Sequence, residues 1–385
     1  MTILGIFINN EIRTGANRRY LELMEGLAER GNTVRVLMNT HLDYKPVHFE
    51  RIAIPVDYTR KKFPPASLLL FFKLRDMKRE ILKKVAGTEW IHIHSDMNLS
   101  AALYLKKRTR AKLFYAVRCN DITRARILMK QGGYSVSEKI ASLVYIQKKK
   151  SREKKIARHA ERITFMNHDD RNHFISRTHV AEQKTSVIPG NIGLPRFTEE
   201  WKEKNASNRV QKLVYAGALS ASKGFYLLLD LLLELRKRGY PYIKLYALGR
   251  TAGKNDLFAH IKDLGLGDQI IFTGYVNPFS HFAESDLFVY PTLYDAWGDV
   301  VMEAMYTGCP AIASAVGGLP DLLKYPELLF ESGNVTQMAD MVERAITDPE
   351  YYQQLRNLCA SRVPELTFDW VERFEAEMKG TQGER

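Results

Sequence analysis

The stretch Gly274–Gly318, GYVNPFSHFAESDLFVYPTLYDAWGDVVMEAMYTGCPAIASAVGG, decides the fold of this chain. An apolar run that ends at Tyr290 and Pro291 predicts a buried strand. A loop rich in small residues follows, and a helix is predicted from Asp299, with Glu303 on an early turn. Backbone N–H groups and the positive end of a helix meet in such a loop, which suits a phosphate. The segment therefore predicts a ligand site where a strand passes into a helix.

Short apolar runs alternate with helical periods along the chain on both sides of this segment. This order predicts parallel sheets with helices on both faces. The predicted strands are Ile3–Ile8, Thr33–Asn39, Trp90–Ser95, Lys112–Val117, Arg162–Met166, Thr185–Ile188, Lys212–Ala216, Ile243–Leu248, Ile270–Gly274, Leu287–Tyr290 and Pro310–Ala313.

A polar break divides the alternation into two α/β units. The segment Gly193–Asn208 contains Pro195 and lacks apolar periodicity, which is typical of a linker. We therefore predict domains at 1–195 and 209–365 with a linker at 196–208, and a C-terminal helix within 366–385 that packs back on the first domain. Ligands in open parallel sheets bind at the carboxyl ends of strands, so a cleft between the domains is the expected site.

The composition excludes several classes of protein. A length of 385 residues fits two domains, and 45% hydrophobic with 26% charged residues is ordinary for a globular protein. The three cysteines, Cys119, Cys309 and Cys359, lie far apart, which fits neither a disulfide framework nor a zinc site. The N-terminus lacks the features of a signal peptide, and no apolar run is long enough to span a bilayer. We expect a cytoplasmic protein.

The net charge of +13 is concentrated in the first half of the chain. Residues 1–200 contain 38 Lys and Arg against 20 Asp and Glu, whereas the remainder contains 19 and 24. A basic N-terminal domain suggests an anionic partner, and nucleic acid, anionic lipid or a phosphorylated acceptor all satisfy that condition. A solvated basic face without a partner satisfies it as well.

The Gly274–Gly318 segment resembles the E-x7-E region of retaining GT-B glycosyltransferases, most closely the large GT4 family (glycosyl transferases group 1). The residues that match the family pattern in order are Asp295, Gly298, Glu303, Ala304, Met305, Gly308, Pro310, Ala313, Ser314, Gly317 and Gly318. The resemblance implies an α/β GT-B fold, with two Rossmann-like domains facing across a cleft. It also implies transfer of a hexosyl unit from a nucleotide sugar to an acceptor hydroxyl with retained anomeric configuration.

A second segment, Tyr215–Gly224 (YAGALSASKG), resembles the family's V-G-R-L-x-x-x-K-G pattern. Gly217, Lys223 and Gly224 match, and the resemblance implies that Lys223 binds the donor diphosphate. Ala218 stands where the family has an arginine, so one of the two expected diphosphate cations is absent from its usual position.

The resemblance assigns roles to the remaining candidates. Glu303 binds the ribose of the nucleotide, and Asp295, one methylene shorter than the usual Glu, holds the transferred sugar. Arg118 aligns with a family cleft histidine and is expected to bind a phosphate or a sugar. The catalytic candidates are thus Asp295, Glu303, Lys223 and Arg118. The donor-binding candidates are Gly15, Gly217, Lys223, Tyr275, Val276, Trp297, Gly298, Asp299, Val300 and Glu303, with Tyr275 and Val276 at the base and Gly298–Val300 at a phosphate.

No cofactor is expected beyond the donor, for which a UDP sugar is the commonest choice in the family. The family works without a metal, and the chain contains no Asp-x-Asp motif. The turn Gly249–Asn255 (GRTAGKN) departs from a P-loop in its spacing. The expected partners are the nucleotide sugar and a glycan, lipid-linked or protein acceptor; no nucleic acid is expected, because no known binding module accompanies the charge.

Two segments of the basic domain suggest a membrane surface. Gln147–Arg162 (QKKKSREKKIARHAER) is a dense cationic helix candidate, and Phe63–Val85 joins an apolar patch to Lys and Arg. Members with lipid-linked acceptors use such patches to bind an anionic membrane, to which each basic residue contributes about 1 kcal/mol. A solvated helix face with core leucines is the alternative.

Two rival functions remain open at this stage. One is another GT-B enzyme, such as a nucleotide-sugar epimerase or a phosphorylase. The other is a protein that binds a carbohydrate or nucleotide sugar without catalysis. Ala218 favours this alternative because it replaces the family's arginine.

Overall fold

The structure is a computed structural model that describes residues 1–12, 15–56, 66–130, 135–192 and 210–380. It divides into two compact units. The N-terminal unit comprises residues 1–125, 133–188 and 369–385, and the C-terminal unit comprises 126–132 and 189–368. The predicted linker at 196–208, and with it the predicted domain boundaries at 195 and 209, lies outside the described residues.

The N-terminal unit is built on a seven-stranded parallel sheet in the order β3-β2-β1-β4-β5-β6-β7. Its strands are β1 (Thr2–Phe7), β2 (Thr33–Asn39), β3 (Glu50–Ile54), β4 (Trp90–Ile93), β5 (Lys112–Ala116), β6 (Arg162–Phe165) and β7 (Thr185–Val187). The central strands are buried on both faces, so they are continuous apolar runs such as TILGIF. The helices are α1 (Gly15–Glu29), α2 (Ala66–Asp76), α3 (Lys78–Lys84), α4 (Leu99–Thr109), the first half of α5 (Asp121–Lys130), α6 (Val136–His159), α7 (His168–Thr178) and α15 (Trp370–Lys379).

The C-terminal unit carries a six-stranded parallel sheet in the order β10-β9-β8-β11-β12-β13. Its strands are β8 (Lys212–Ala216), β9 (Lys244–Leu248), β10 (Ile270–Gly274), β11 (Leu287–Tyr290), β12 (Ala311–Ser314) and β13 (Leu329–Phe330). Its helices are α8 (Phe225–Lys237), α9 (Asn255–Asp263), α10 (Phe279–Ala283), α11 (Asp299–Tyr306), α12 (Leu319–Leu323), α13 (Val335–Thr347) and α14 (Pro349–Glu365). No helix in the described ranges is long and apolar enough to cross a membrane.

Two strands escape prediction, and both lie at a sheet edge. β3 alternates exposed and buried residues, and β13 has only two residues. An edge strand has one neighbour and is covered less fully than a central strand, so its apolar signal is weaker. The central strands are found within about one residue of their predicted ends, apart from β4, which ends at Ile93 rather than Ser95.

The last helix, α15, belongs to the N-terminal unit. Arg30, which follows α1, pairs with Asp369 at 2.8 Å and with Glu375 at 3.0 Å. Asn32 donates a hydrogen bond to Glu375 Oε1 at 2.8 Å. Burial opposes ionisation of Glu375, but the hydrogen bonds from Asn32, Lys379 and Arg30 outweigh it and lower its pKa to about 2. Glu375 therefore remains charged as it fastens α15 to α1.

Candidate active site

The loop after β8 is held against the end of β11 by a glycine. Gly224 has φ +72°, and a Cβ built on it would lie 1.8 Å from the carbonyl oxygen of Pro291. The backbone N–H of Leu293 donates to the Ser222 carbonyl oxygen at 3.2 Å. Only a residue without a side chain permits this approach. The two loops at the carboxyl ends of β8 and β11 therefore pack directly against each other, as expected for adjacent parallel strands.

This arrangement brings two predicted site residues into contact. The Lys223 ammonium lies 2.6 Å from Asp295 Oδ2, with both side chains partly buried. The Tyr290 hydroxyl, at the end of β11, donates to the same Oδ2 at 2.7 Å. The backbone N–H of Trp297 donates to Asp295 Oδ1 at 3.3 Å. The carboxylate is thus fixed through both oxygens.

The electrostatics keep Asp295 charged and Tyr290 protonated. Burial works against ionisation of Asp295, but the Lys223 ammonium and the hydrogen bonds from Lys223 and Tyr290 hold its pKa below the ordinary value. Burial raises the pKa of the Tyr290 phenol well above its ordinary value, and the Asp295 charge adds to the effect. At neutral pH Tyr290 is therefore a hydrogen-bond donor to a carboxylate.

Two glycines from the following turn support the Asp295 loop from behind. A Cβ on Gly317 would lie 2.0 Å from the Asp295 carbonyl oxygen, and one on Gly318 would lie 2.1 Å from that of Ala296. The N–H of Gly318 donates to the Asp295 carbonyl at 3.0 Å. These matches to the family pattern therefore shape the loop by close backbone packing.

Helix α11 begins directly after Gly298, which adopts φ +91°. Glu303 lies on this helix and is only 7% exposed, whereas Asp299 and Val300 are partly exposed in the first turn. A partly exposed first turn is where backbone N–H groups can reach a ligand.

Trp297 contributes its backbone to the site, whereas its ring lies in the interior. The indole is buried, its N–H contacts Met302 Sδ at 3.2 Å, and a Cβ on Gly190 would lie 2.3 Å from the ring. Its backbone N–H is the one that binds Asp295.

Tyr275 and Val276 follow β10 at the same edge of the sheet. Both are exposed, Tyr275 at 74%. The Arg250 guanidinium, which follows β9, lies 5.1 Å from the centre of the Tyr275 ring. Gly217 directly follows β8 and marks the start of the loop that carries Lys223.

Gly15 and Arg118 belong to the N-terminal unit, whereas the other predicted site residues belong to the C-terminal unit. Gly15 begins α1; its neighbours Arg13 and Thr14 are outside the described residues. The Arg118 guanidinium follows β5 and lies 4.9 Å from the centre of the Trp370 ring on α15. Asp121, three residues further on, pairs with Lys149 at 2.6 Å.

Two family models match the chain. The model for glycosyl transferases group 1 matches residues 197–359, and the model for Glycosyltransferase Family 4 matches residues 13–192. The chain belongs to the GT4-type glycosyltransferases. The predicted family is thereby confirmed, and the chain is a glycosyltransferase of GT-B type.

Relatives and solved structures agree with this family along nearly the whole length. A Campylobacter jejuni N-acetylgalactosamine-N,N'-diacetylbacillosaminyl-diphospho-undecaprenol 4-alpha-N-acetylgalactosaminyltransferase is 21% identical, over 94% of this chain and 95% of that protein. Sucrose-phosphate synthase of Thermosynechococcus elongatus has a TM-score of 0.75 at 20% identity and covers 98% of this chain and 96% of its own. Anabaena HepE in complex with UDP has a TM-score of 0.71 at 17% identity, with 99% and 100% covered. The predicted GT-B fold with two Rossmann-like domains is confirmed.

Sequence reasoning missed Tyr290 and Arg250. Tyr290 ends an apolar strand, where a tyrosine is indistinguishable from a core aromatic residue. Arg250 lies in the turn Gly249–Asn255, whose spacing departs from a P-loop. The signal in the sequence that could have found both is that each stands at or just past the carboxyl end of a predicted strand.

Proposed function

We propose that the chain transfers a hexosyl unit from a UDP sugar to an acceptor hydroxyl with retention of anomeric configuration. The observation that carries the proposal is the Lys223–Asp295 pair, held at the carboxyl ends of adjacent strands beside the first turn of α11. Cation, carboxylate and helix N-terminus are the groups that a sugar diphosphate requires. The solved complex of HepE with UDP supports the choice of nucleotide.

In this proposal the residues have separate tasks. Lys223 and the first-turn N–H groups of α11 stabilise the diphosphate as its bond to the anomeric carbon breaks. The acceptor oxygen bonds to that carbon on the same face, and the departing phosphate oxygen takes the acceptor proton. Asp295 holds the sugar hydroxyls, Glu303 the ribose, and Tyr275 with Val276 the base. No metal or further cofactor is part of the proposed reaction.

We propose a glycan or lipid-linked glycan as the acceptor, in bacterial cell-surface polysaccharide or glycoconjugate synthesis. The relative from Campylobacter jejuni, whose name places an undecaprenyl diphosphate on its acceptor, supports this class. A lipid-linked acceptor also accords with the basic surface described below.

The test uses purified full-length chain with UDP, GDP and ADP sugars in the presence of a chelator. We expect one nucleotide series to raise the melting temperature, since a ligand at a hundred times its dissociation constant stabilises by about 2.7 kcal/mol. With an acceptor library, NMR of the product should show the anomeric configuration of the donor. Glu303→Ala should lose both effects, and the exposed Lys262→Ala neither.

Three results would contradict the proposal. An inverted product would remove retention, and activity that requires a divalent ion would remove metal independence. Binding without turnover for every acceptor would favour the binding protein that Ala218 first suggested.

We also propose that helix α6 binds an anionic membrane surface. Its first half, Ser135–Tyr145, is exposed almost throughout. Four apolar side chains there, at helical spacings of four, three and one residues, share one face and are 48 to 75% exposed: Val136, Ile140, Leu143 and Val144. An exposed apolar stripe on a charged helix is typical of helices that lie in a membrane interface.

The second half of α6 is fixed to the N-terminal unit on one side and cationic on the other. Lys149 pairs with Asp96 at 2.8 Å, and Arg152 with the same carboxylate at 3.1 Å. The basic side chains that remain exposed are Lys148, Lys154, Lys155 and Arg158. These charges favour an anionic bilayer over a second copy of the chain, because two such helices would repel.

Vesicle sedimentation tests this surface. We expect binding to phosphatidylcholine vesicles that contain phosphatidylglycerol, weaker binding at high salt, and none without the anionic lipid. Ile140→Ser/Leu143→Ser and Lys154→Glu/Lys155→Glu should each reduce binding, whereas Lys262→Glu on the C-terminal unit should not. Equal recovery of the protein with and without vesicles, or a dimer that Ile140→Ser disrupts, would contradict the proposal.

A further inference from the structure

Three neighbouring strands of the C-terminal sheet end at the same level. In the register of the sheet, Leu248 of β9 lies beside Ala216 of β8 and beside Gly274 of β10. Ala218 and Arg250 each stand two residues beyond these positions. Since strands lie about 4.8 Å apart, Arg250 is placed one strand over from Ala218.

Backbone contacts continue this arrangement past the strand ends. The N–H of Gly217 donates to the Leu248 carbonyl at 2.9 Å, and that of Gly249 donates to the Gly274 carbonyl at 2.9 Å. A Cβ on Gly249 would lie 2.3 Å from the Gly217 carbonyl oxygen. The residues that flank Ala218 and Arg250 are therefore packed together, and the turn that carries Arg250 touches the loop that carries Lys223.

Arg250 places an accessible cation at this edge of the sheet. Its side chain is exposed, and its guanidinium lies over the ring of Tyr275. Within the part of the chain that the structure describes, it forms no ion pair with a carboxylate. A cation held only by an aromatic face at an exposed site gains about 0.5–1 kcal/mol from it, so another ligand can take its place.

A bound diphosphate needs a second cation at the donor site. A sugar diphosphate carries about two negative charges at neutral pH, whereas Lys223 is balanced by Asp295 and position 218 provides no cation. We propose that Arg250 is the second cation for the donor diphosphate and takes over, from the adjacent strand, the task of the residue that Ala218 replaces. The inference rests on the proposed function, because it assigns a residue to the same donor site.

Binding of a nucleoside diphosphate and of its nucleoside distinguishes phosphate contact from base contact. The probe is whichever of UDP, GDP and ADP raises the melting temperature of the wild type, together with its nucleoside, with dissociation constants measured by calorimetry or NMR titration. Arg250→Ala should weaken binding of the diphosphate by about 10- to 100-fold, as expected for loss of a charge-assisted hydrogen bond. The affinity for the nucleoside should not change.

Two further variants sharpen the result. Arg250→Ala/Ala218→Arg should recover most of the diphosphate affinity, because it returns a cation to the neighbouring strand. Lys262→Ala removes the same charge at the far end of α9 and should leave both constants within about twofold, since a distant surface charge is screened.

The outcomes separate this inference from the function on which it rests. If Arg250→Ala binds the diphosphate as tightly as the wild type, the inference fails and the proposed function stands. If Arg250→Ala weakens binding of the diphosphate and of the nucleoside equally, Arg250 contacts the nucleoside part of the ligand, and its assignment to the diphosphate is overturned. If the wild type binds none of the three nucleotides, the proposed function fails, and the inference fails with it.

Discussion

The Lys223 ammonium and the Asp295 carboxylate are joined by an ion pair of 2.6 Å. The family resemblance assigns these side chains to different parts of the donor, the diphosphate and the sugar. In the proposed function a diphosphate therefore competes with Asp295 for Lys223, and the Tyr290 hydroxyl provides the carboxylate with a second partner. In that function the pair would couple recognition of the diphosphate to recognition of the sugar.

Lys223→Ala should weaken binding of the nucleoside diphosphate by about 10- to 100-fold, because a phosphate cation is removed. It should also lower the free energy of unfolding by about 1–3 kcal/mol, because the partly buried Asp295 loses its partner. Calorimetry and urea denaturation measure the two effects. Lys223→Ala/Asp295→Ala should recover stability without recovering binding; a double variant as unstable as the single one would contradict a stabilising pair.

Gly317→Ala should disturb the Asp295 loop. The new Cβ would meet the Asp295 carbonyl oxygen at 2.0 Å, so the loop must shift, and we expect kcat/KM to fall by at least about tenfold. Gly333→Ala is the matched control: its φ is also positive, at +82°, but nothing lies within 4 Å of the new atom. It should lose only about 1 kcal/mol of stability and keep its activity. Equal activity losses in the two variants would show that backbone strain alone matters.

Tyr290→Phe should lower kcat/KM by about tenfold with little change in diphosphate affinity. The variant removes the 2.7 Å hydrogen bond to Asp295, which also raises the pKa of that carboxyl toward its ordinary value. Steady-state kinetics and nucleotide titration give the two quantities. Tyr242→Phe changes an exposed tyrosine in the same way and should have no effect. Weaker binding of the nucleoside diphosphate at an unchanged kcat would indicate that Tyr290 contacts the phosphate instead.

Acid should loosen α15. The pKa of Glu375 is about 2 in the folded chain and about 4.3 in an unfolded one, so its stabilising contribution is complete above pH 4.3 and is lost as pH falls toward 2. Glu375→Gln should therefore be less stable than the wild type at pH 7, and the difference should shrink between pH 4.3 and pH 2. Urea denaturation at a series of pH values measures it. A difference that does not change with pH would assign the effect to packing.

Most of the fold could be predicted because the central strands of both sheets are continuous apolar runs. The runs at Lys212–Ala216 and Leu287–Tyr290 coincide with the central strands β8 and β11. Two of the four edge strands could not be predicted, since β3 is only half buried and β13 contains two residues. The long helix α6 begins at Val136, well before the predicted Gln147, because Ser135 caps it: its side chain accepts a hydrogen bond from the Glu138 N–H.

The candidate site was predictable where a motif specifies residue types, and less so where geometry decides. The pattern predicted Lys223 and Asp295 as site residues, but not that they pair with each other. Trp297 was predicted for the donor site, yet its ring lies in the interior with Met302. The neighbours of Ala218 follow from strand register, which a single sequence does not reveal; hence Arg250 was missed.

Helix α15 is the last element to be synthesised, although it belongs to the N-terminal unit. It completes the N-terminal unit, yet it follows the whole C-terminal unit in the chain. A ribosome therefore releases every residue of the C-terminal unit before Glu375 can meet Arg30 and Asn32. Until then the nascent N-terminal unit leaves uncovered the place where Gly26 will contact Val371. The N-terminal unit, which is synthesised first, therefore cannot complete its folding until the last helix has been released.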